Sequence, residues 1–252
     1  MQVCRLHKGH VMKDDITLIM YSHSSYSDVW APFFNQADKY LQDYKKVLFS
    51  DDDLGKTPDN WGFAKYNDED NYSVRMSTCL ESVDTELCFL HHEDMFLYDK
   101  PDLKLLSEYE SIVKNDSKID FIRLLRSVDN PMFSYKNCPS LHYIPAYSQY
   151  FFSVQPTICK TDSLKKIYGE TKINHLRDFE INVQKTCRDN SMNGLFHYNG
   201  ESRKGMFHYD SSVYPYVATA IVKGKWNMSQ YPKQLEEILK ENKINVNDRG
   251  AV

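Results

Sequence analysis

The sequence predicts an α/β protein with a mostly parallel central sheet and helices on both faces. Short apolar strands alternate with amphipathic helices along the first half of the chain, in the order β-α-β-α-β-α-β. This alternation is typical of a parallel sheet covered by helices. The chain has 252 residues, of which 41 % are apolar, so it can build a large core. We expect a single domain over 1–252, with a first half over about 15–125, a second half over about 126–228, and a C-terminal helix and tail over 229–252.

Two strands and a helix are predicted near the start of the chain. Residues 1–14 are polar and predict a loose lead-in or an edge element, and residues 16–20 and 45–49 are short apolar runs that predict buried strands. Ser27 or Asp28 would cap the helix between them. The apolar residues of this helix recur at helical spacing: Trp30, Phe33, Phe34, Ala37, Tyr40 and Leu41.

A loop, two helices and two strands are predicted next. Residues 55–71 are rich in Asn, Asp, Gly and Pro, which predicts a surface loop. A helix from Val74 leads into an apolar strand that begins at Leu87, and residues 121–125 predict a further strand. The second helix lies between these strands and turns Leu103, Leu106, Tyr109, Ile112 and Val113 inward.

The second half of the chain is predicted to be less regular. Residues 126–149 contain three Pro and many Tyr, Asn and Ser, which predicts a long loop. The other predicted elements are a strand over 149–158, helices over 161–169 and 176–187, a β-hairpin with arms at 196–198 and 207–209, and a last helix from Pro232.

Composition argues against several classes of protein. The net charge is −4 and there is no basic block, which argues against nucleic-acid binding as the main function. No apolar run reaches the roughly 18 residues that span a bilayer, and no signal peptide is visible. Cys79, Cys88 and Cys159 lie in apolar patterns and predict buried thiols in a reducing compartment. We therefore expect a soluble, cytoplasmic protein without a transmembrane segment.

Polar clusters follow three of the predicted strands, at residues 21–25, 50–53 and 91–94. Parallel strands place their carboxyl ends at one edge of the sheet, where ligands bind. We therefore expect the three clusters to converge on one site. Within the first two clusters, Ser22, His23 and the Asp51-Asp52-Asp53 run could contact a nucleoside. A solvated acidic turn is the alternative for the aspartates.

The third cluster predicts a divalent-cation site. In residues 87–97, an apolar run is followed by four polar residues and then by apolar chain again, and an unpaired charge next to a core is costly. Glu93 and Asp94 in tandem could hold Mg²⁺ or Mn²⁺ and leave positions open for phosphate oxygens. His208 is a candidate further ligand, because imidazole suits Mn²⁺. The alternatives are a solvated loop with a capping Asp and an ordinary strand histidine.

The helix over 176–187 offers a candidate general base. Its inward stripe consists of Leu176, Phe179, Val183 and Cys187. At about 100° per residue, Glu180 falls beside this stripe and Asp178 points roughly the opposite way. A carboxylate held against apolar surface has a raised pKa, which suits a general base. Glu180 is therefore the first candidate and Asp178 the second, and a Glu that reaches water is the alternative.

These features resemble a glycosyltransferase of the GT-A fold, of the small bacterial or large-virus polysaccharide type, over about residues 15–228. Residues 89–97 resemble its Asp-x-Asp region in a degenerate form, in which His92 replaces the first Asp. Residues 177–180 resemble the segment that supplies the base in inverting members, and residues 151–156 resemble the acceptor-side strand.

The resemblance implies metal-assisted, inverting transfer of a sugar from a nucleoside-diphosphate sugar to a hydroxyl of a glycan or similar acceptor. The donor it suggests first is a uridine diphosphate (UDP) sugar. The resemblance also implies that Tyr150 and Gln155 contact the acceptor. The residues implied at the donor are Ser22, His23, Asp51, Asp52, Arg75, His92, Lys223 and Lys225. For Arg75, Lys223 and Lys225, the alternative is that each is an ordinary surface charge.

Two other functions stay open from the sequence. One is nucleotidyl transfer to a sugar phosphate; such enzymes usually carry a Gly-rich basic loop after the first strand, whereas residues 21–26 contain no Gly, Lys or Arg. The other is a non-catalytic carbohydrate-binding relative, because the first Asp of the metal motif is missing.

Overall fold

A mixed sheet runs through the protein in a computed structural model that describes residues 12–127, 131–136, 138–173 and 175–252. Its strands are β1 Lys13–Tyr21, β2 Tyr44–Ser50, β3 Gly62–Lys65, β4 Leu87–His92, β5 Phe121–Arg123, β6 Phe133–Tyr135, β7 Cys138–Tyr143, β8 Thr157–Lys160 and β9 Gly194–His197. In the described ranges these nine strands form one sheet in the order β3-β2-β1-β4-β8-β5-β9-β7-β6. Ile221–Val222 (β10) and Lys225–Trp226 (β11) form a separate hairpin.

Helices cover both faces of this sheet. They are α1 Trp30–Tyr40, α2 Tyr72–Leu80, α3 Leu103–Asn115, α4 Thr161–Glu170, α5 Leu176–Asp189, α6 Pro232–Glu241 and α7 Val246–Arg249. The buried residues of α1, α3 and α6 belong to one apolar cluster, and those of α2 and α4, with Phe179 and Val183 of α5, to another. Alternate residues of β1 enter the two clusters, since Leu18 faces the first and Ile19 the second. The predicted fold class, a mostly parallel α/β sheet with helices on both faces, is confirmed.

Strand direction determines which segments meet at the carboxyl edge of the parallel strands. Strands β3, β2, β1 and β4 are parallel, and β5 is parallel to β9. Strand β8 runs antiparallel to both of its neighbours, β4 and β5. The segment that precedes β8 therefore reaches the same edge of the sheet as the segments that follow β1, β2 and β4.

Three strands lie where the sequence predicted loops. The predicted loop over 55–71 contains β3, and the predicted loop over 126–149 contains β6 and β7; residues 128–130 and 137 lie outside the described residues. The strand predicted over 149–158 begins only at Thr157. Strands β3 and β6 lie at the sheet edges and most of their residues are exposed. Such strands lack the apolar runs by which a buried strand is recognised.

The predicted hairpin over 196–198 and 207–209 is wrong. Strand β9 is an interior strand paired with β5 and β7, whereas His208 forms only an isolated bridge with Ser127 in the described part of the chain. In the described part of this half, the antiparallel pairs of consecutive strands are β6 with β7 and β10 with β11.

Several helix and strand ends also differ from the prediction. Helix α1 is preceded by Val29, without a side-chain cap, and Val74 is 37 % exposed instead of inward. Strand β4 extends to His92, so His91 and His92 belong to the strand itself. The helices predicted over 176–187 and from Pro232 are confirmed as α5 and α6.

The predicted buried thiols are confirmed. Cys79, Cys88 and Cys159 are free and buried, as is Cys187. A cytoplasmic location stays a prediction. Among the helices of the described ranges, none combines the length and the apolar character needed to cross a bilayer. Most of the predicted lead-in, residues 1–11, lies outside the described residues.

Candidate functional site

The ends of three parallel strands meet at one edge of the sheet. Tyr21 at the end of β1 is in register with Phe49 of β2 on one side and with His92 of β4 on the other. The backbone N–H of Ser22 donates to the carbonyl of Phe49 at 2.9 Å. The segments that follow these strands are therefore neighbours, as expected from parallel strands.

The segments after β1 and β2 are joined by hydrogen bonds. The backbone N–H and the hydroxyl of Ser24 each donate to Asp51, at 2.7 Å. Burial raises the pKa of Asp51, but the hydrogen bonds from Ser24 outweigh burial and lower it. Asp52 is exposed and accepts from the backbone N–H of Leu54 at 2.8 Å. Asp51 therefore orders this corner, and Asp52 shapes its own turn.

A cationic group is fixed beside the same corner. The Arg75 guanidinium lies over the ring of Tyr66, 5.2 Å from its centre, and pairs with Asp68 at 2.9 Å. The Nε2 of His23 lies 3.1 Å from the same Asp68 carboxylate. Ser22 is buried, and its hydroxyl accepts from the indole N–H of Trp30 at 2.7 Å.

An acidic cleft of about 380 Å³ opens at the end of β4. Its lining includes Glu93, Asp94, Gln155, Glu180 and Lys223. The backbone N–H of Ile221 donates to the Asp94 carboxylate at 3.3 Å, so the β10–β11 hairpin lies against this residue. Lys223 lies in the turn of that hairpin with a φ of 51°, in the left-handed region that favours glycine. Lys223 and Gly224, whose φ is 77°, are the two residues of the turn, and two-residue hairpin turns favour positive φ.

Two of the three carboxylates that line this cleft, Glu93 and Asp94, are adjacent in sequence and have raised pKa values. Burial raises the pKa of both Glu93 and Asp94, and the charge of Asp94 raises that of Glu93 further. A bound cation would relieve this repulsion, and paired carboxylates suit Mg²⁺ or Mn²⁺. Among the described residues, no three or more His, Cys, Asp or Glu side chains form a group that could hold an ion. Glu93 and Asp94 alone are fewer ligands than Mg²⁺ or Mn²⁺ takes, so a cation held by them would need its remaining ligands from substrate oxygens or water.

A second cleft, of about 520 Å³, adjoins the acidic cleft. The two clefts share three lining residues, Gln155, Glu180 and Thr219. The other residues that line the second cleft are Leu125, Ser127, Tyr147, Ser148, Gln149, Tyr150, Ser153, Phe207 and His208. We call this the neutral cleft, because Glu180 is its one carboxylate and none of these lining residues is Lys or Arg.

Glu180 lies where the two clefts meet. One carboxylate oxygen accepts from the backbone N–H of Val154 at 3.0 Å. Burial raises the pKa of Glu180, and this hydrogen bond and the charge of Arg123 only partly offset the increase. A half-buried carboxylate with a raised pKa can accept a proton from a hydroxyl group bound beside it.

Arg123 is a site residue that the sequence analysis missed. It is 1 % exposed, and its Nη1 donates to the carbonyl of Tyr150 and to the hydroxyl of Ser153, each at 3.1 Å. It therefore supports the segment before β8 from beneath the neutral cleft. The available signal was an arginine inside the apolar run 121–125, because a buried arginine needs several acceptors.

The predicted site residues divide into three groups. Those that line the acidic cleft are His92, Glu93, Asp94, Gln155, Glu180 and Lys223. Those that line the neutral cleft are Tyr150, Gln155, Glu180 and His208. Those that line neither are Ser22, His23, Asp51, Asp52, Arg75, Asp178 and Lys225.

Two of the predicted placements need correction, those of His208 and Lys225, whereas Asp178 lies where the helical pattern predicts it. His208 lies in the neutral cleft and not with the acidic pair, so it does not form a three-ligand group with Glu93 and Asp94. Asp178 is exposed and faces away from both clefts, because it lies two residues from Glu180 around α5. Lys225 is exposed on β11, outside both clefts.

Comparison with known proteins identifies the fold and no family. No family model and no curated protein matches the chain. The structure is similar to residues 1–349 of TarS from S. aureus, with a TM-score of 0.52 and 13 % identity over 90 % of this chain and 64 % of that one. It is equally similar to CMP:2-keto-3-deoxy-manno-octonic acid synthetase complexed with CTP, with a TM-score of 0.52 and 10 % identity over 91 % of this chain and 100 % of that one.

The chain therefore has a GT-A-like fold. It spans 64 % of the TarS fragment and half the length of the bifunctional IspDF from Campylobacter jejuni, which has a TM-score of 0.46. The same TarS fragment has also been solved in complex with UDP.

Proposed function

We propose that the protein is a metal-assisted, inverting glycosyltransferase that moves a sugar from a nucleoside-diphosphate sugar to a hydroxyl acceptor. The observation that carries the proposal is the position of Glu180 between an acidic cleft and a neutral one. Two substrates can bind on either side of one carboxylate in this arrangement. Transfer between two bound substrates requires such proximity.

The donor would occupy the acidic cleft. Asp94, with Glu93, would hold Mg²⁺ or Mn²⁺, and the diphosphate oxygens would complete its coordination. A cation bound there would neutralise the charge that develops on the departing diphosphate. Lys223 would contribute a further positive charge at the same cleft. We propose UDP as the first nucleotide to test, because the similar TarS fragment binds UDP in its complex.

The acceptor would occupy the neutral cleft, beside Tyr150 and Gln155. Glu180 would take the proton of the acceptor hydroxyl as the oxygen attacks the anomeric carbon. With the donor and the acceptor bound on either side of Glu180, the hydroxyl oxygen would attack from the face opposite the diphosphate and invert the anomeric centre. The raised pKa of Glu180 supports its role as the general base.

A panel of nucleotide sugars tests this proposal. We expect release of a nucleoside diphosphate from at least one UDP-, GDP- or dTDP-sugar in the presence of Mn²⁺ or Mg²⁺, and calorimetric binding of the matching diphosphate. The Asp94→Asn variant should lose the metal-dependent part of that binding. If none of these diphosphates binds, with or without metal, the donor assignment is wrong.

A second candidate is nucleotidyl transfer to a sugar phosphate. The similarity to a synthetase complexed with CTP, over 91 % of this chain, favours it. The absence of Gly, Lys and Arg from residues 21–26 is unfavourable for binding a triphosphate there. Release of pyrophosphate from CTP or UTP with a sugar phosphate would support this candidate, whereas release of a nucleoside diphosphate from a nucleotide sugar supports the glycosyltransferase.

A further inference from the structure

We propose that the neutral cleft selects an uncharged carbohydrate as acceptor and rejects phosphorylated or other anionic acceptors. This inference rests on the proposed function. The described residues that line the cleft include one carboxylate, Glu180, and no Lys or Arg. Burial lowers the pKa of His208, so its imidazole adds no positive charge to the cleft near neutral pH.

Two arginines close in sequence to the lining segment 125–127 or within it are engaged by the protein. Arg123 is buried and donates to the Tyr150 carbonyl and the Ser153 hydroxyl. The Arg126 guanidinium lies over the rings of Tyr198 and Tyr209, 4.8 and 5.0 Å from their centres. Neither side chain lines the cleft. A phosphate bound there would meet the Glu180 carboxylate without a lining cation, and like charges at short range repel strongly where water is reduced.

The lining of the cleft matches the surface of a neutral sugar. Tyr147 and Phe207 are 74 % and 67 % exposed, so their rings are available to a ligand. Aromatic rings pack against the apolar C–H faces of a sugar. The amides and hydroxyls of the lining can both donate to and accept from sugar hydroxyls. The residues that supply them are Ser127, Ser148, Gln149, Ser153 and Gln155.

Binding of matched sugars tests the inference separately from the proposed function. The probes are methyl glycosides of common hexoses and pentoses and the corresponding sugar phosphates. Each would be measured by saturation-transfer NMR, alone and with UDP and Mn²⁺. We expect at least one methyl glycoside to bind about tenfold or more tightly than its phosphorylated counterpart.

Tighter binding of the phosphates, or no binding by any methyl glycoside, would overturn the inference. The binding of UDP is measured in the same samples. If UDP binds and, among the sugars, only the sugar phosphates bind, the acceptor class is wrong while the donor assignment stands. If no nucleotide binds but a methyl glycoside does, the selectivity of the cleft stands and the transferase proposal fails.

A pair of aromatic variants locates the binding. Phe207→Ala should raise the Kd of the best methyl glycoside roughly three- to tenfold, the range for loss of one aromatic contact, and should leave the Kd of UDP unchanged. Phe133→Ala is the matched control: Phe133 is 55 % exposed on β6 and lines neither cleft. Equal Kd values for Phe207→Ala and Phe133→Ala would place the glycoside elsewhere and overturn the assignment.

Discussion

The proposed chemistry depends most on Glu180. Replacing it with glutamine keeps the size of the side chain and removes its ability to take a proton. We expect Glu180→Gln to lower kcat about 10²- to 10⁴-fold, the usual contribution of a general base. The Kd of the nucleoside diphosphate should stay within about twofold, since Glu180 would act on the acceptor. Steady-state kinetics and calorimetry measure the two quantities.

Asp178→Asn is the matched control, because Asp178 lies on the same helix but is exposed outside both clefts. It should keep kcat near that of the unchanged protein, and an equal loss in both variants would remove the special role of Glu180. The pH profile gives a second check. Because burial raises the pKa of Glu180, activity should fall at a higher pH than it would if the base were a glutamate of ordinary pKa.

The acidic pair should make stability depend on pH. Burial raises the pKa of Asp94 above its unfolded value, so the folded protein binds this proton more tightly than the unfolded chain does. The stability contributed by the proton is present at low pH and is lost as pH rises through the folded pKa. Asp94→Asn should therefore raise Tm by roughly 2–6 °C at about pH 8 and by little at about pH 4.5.

Thermal unfolding followed by circular dichroism, without added metal, measures this difference. Asp52→Asn is the control, since Asp52 is an exposed carboxylate after a neighbouring strand, and it should not show the gain at high pH. A gain in Tm for Asp94→Asn that is the same at both pH values would contradict the electrostatic explanation.

At the scale of elements, the pairing of β5 with β9 needs a glycine. Gly194 lies opposite Phe121 in this parallel pair. A Cβ atom at position 194 would overlap the Phe121 ring, which is itself buried. We expect Gly194→Ala to destabilise the protein by about 1–3 kcal/mol, measured by chemical denaturation.

Gly62→Ala serves as the matched control. Gly62 also lies in a strand, but a Cβ there would meet its nearest neighbour, Val47 Cγ2, at an ordinary 3.5 Å. Its effect should stay within about 0.5 kcal/mol. A loss of similar size in both variants would show that strand propensity, and not the Phe121 ring, sets the cost.

Elements with strong apolar patterns could be predicted from the sequence. Strands β1 and β4 and helices α3 and α5 each bury a regular stripe or run, so their existence and order were readable. Strands β3 and β6 are largely exposed edge strands and offer no such pattern. Strand β9 was misassigned because the repeated Phe-His-Tyr suggested a local hairpin, whereas its partners β5 and β7 are distant in sequence.

The site was predictable only where one element determines it. Helical periodicity separated Glu180 from Asp178, and parallel strands explained why the segments after β1, β2 and β4 meet. The split into two clefts depends on β8, whose direction is reversed relative to its neighbours. No local pattern encodes strand direction, so the separation of His208 from Asp94 could not be predicted.

At the scale of the whole molecule, both faces of the sheet contribute to the site. The sheet separates two apolar clusters, and Glu180 lies on α5, whose buried residues belong to the second. The β10–β11 hairpin, which lies against Asp94, belongs to the first through Ile221 and Trp226. The junction of the clefts therefore depends on both layers being packed on the same sheet.

The wide spacing of the lining residues has a consequence for folding kinetics. The junction is lined from positions 155, 180 and 219, and the acidic cleft beside it from position 94. Closing such long loops is slow compared with helix formation. After dilution from denaturant, helical circular dichroism should return first, and nucleotide release should return in a later phase. Until β8 has inserted between β4 and β5, a newly synthesised chain would lack the junction at which we place catalysis.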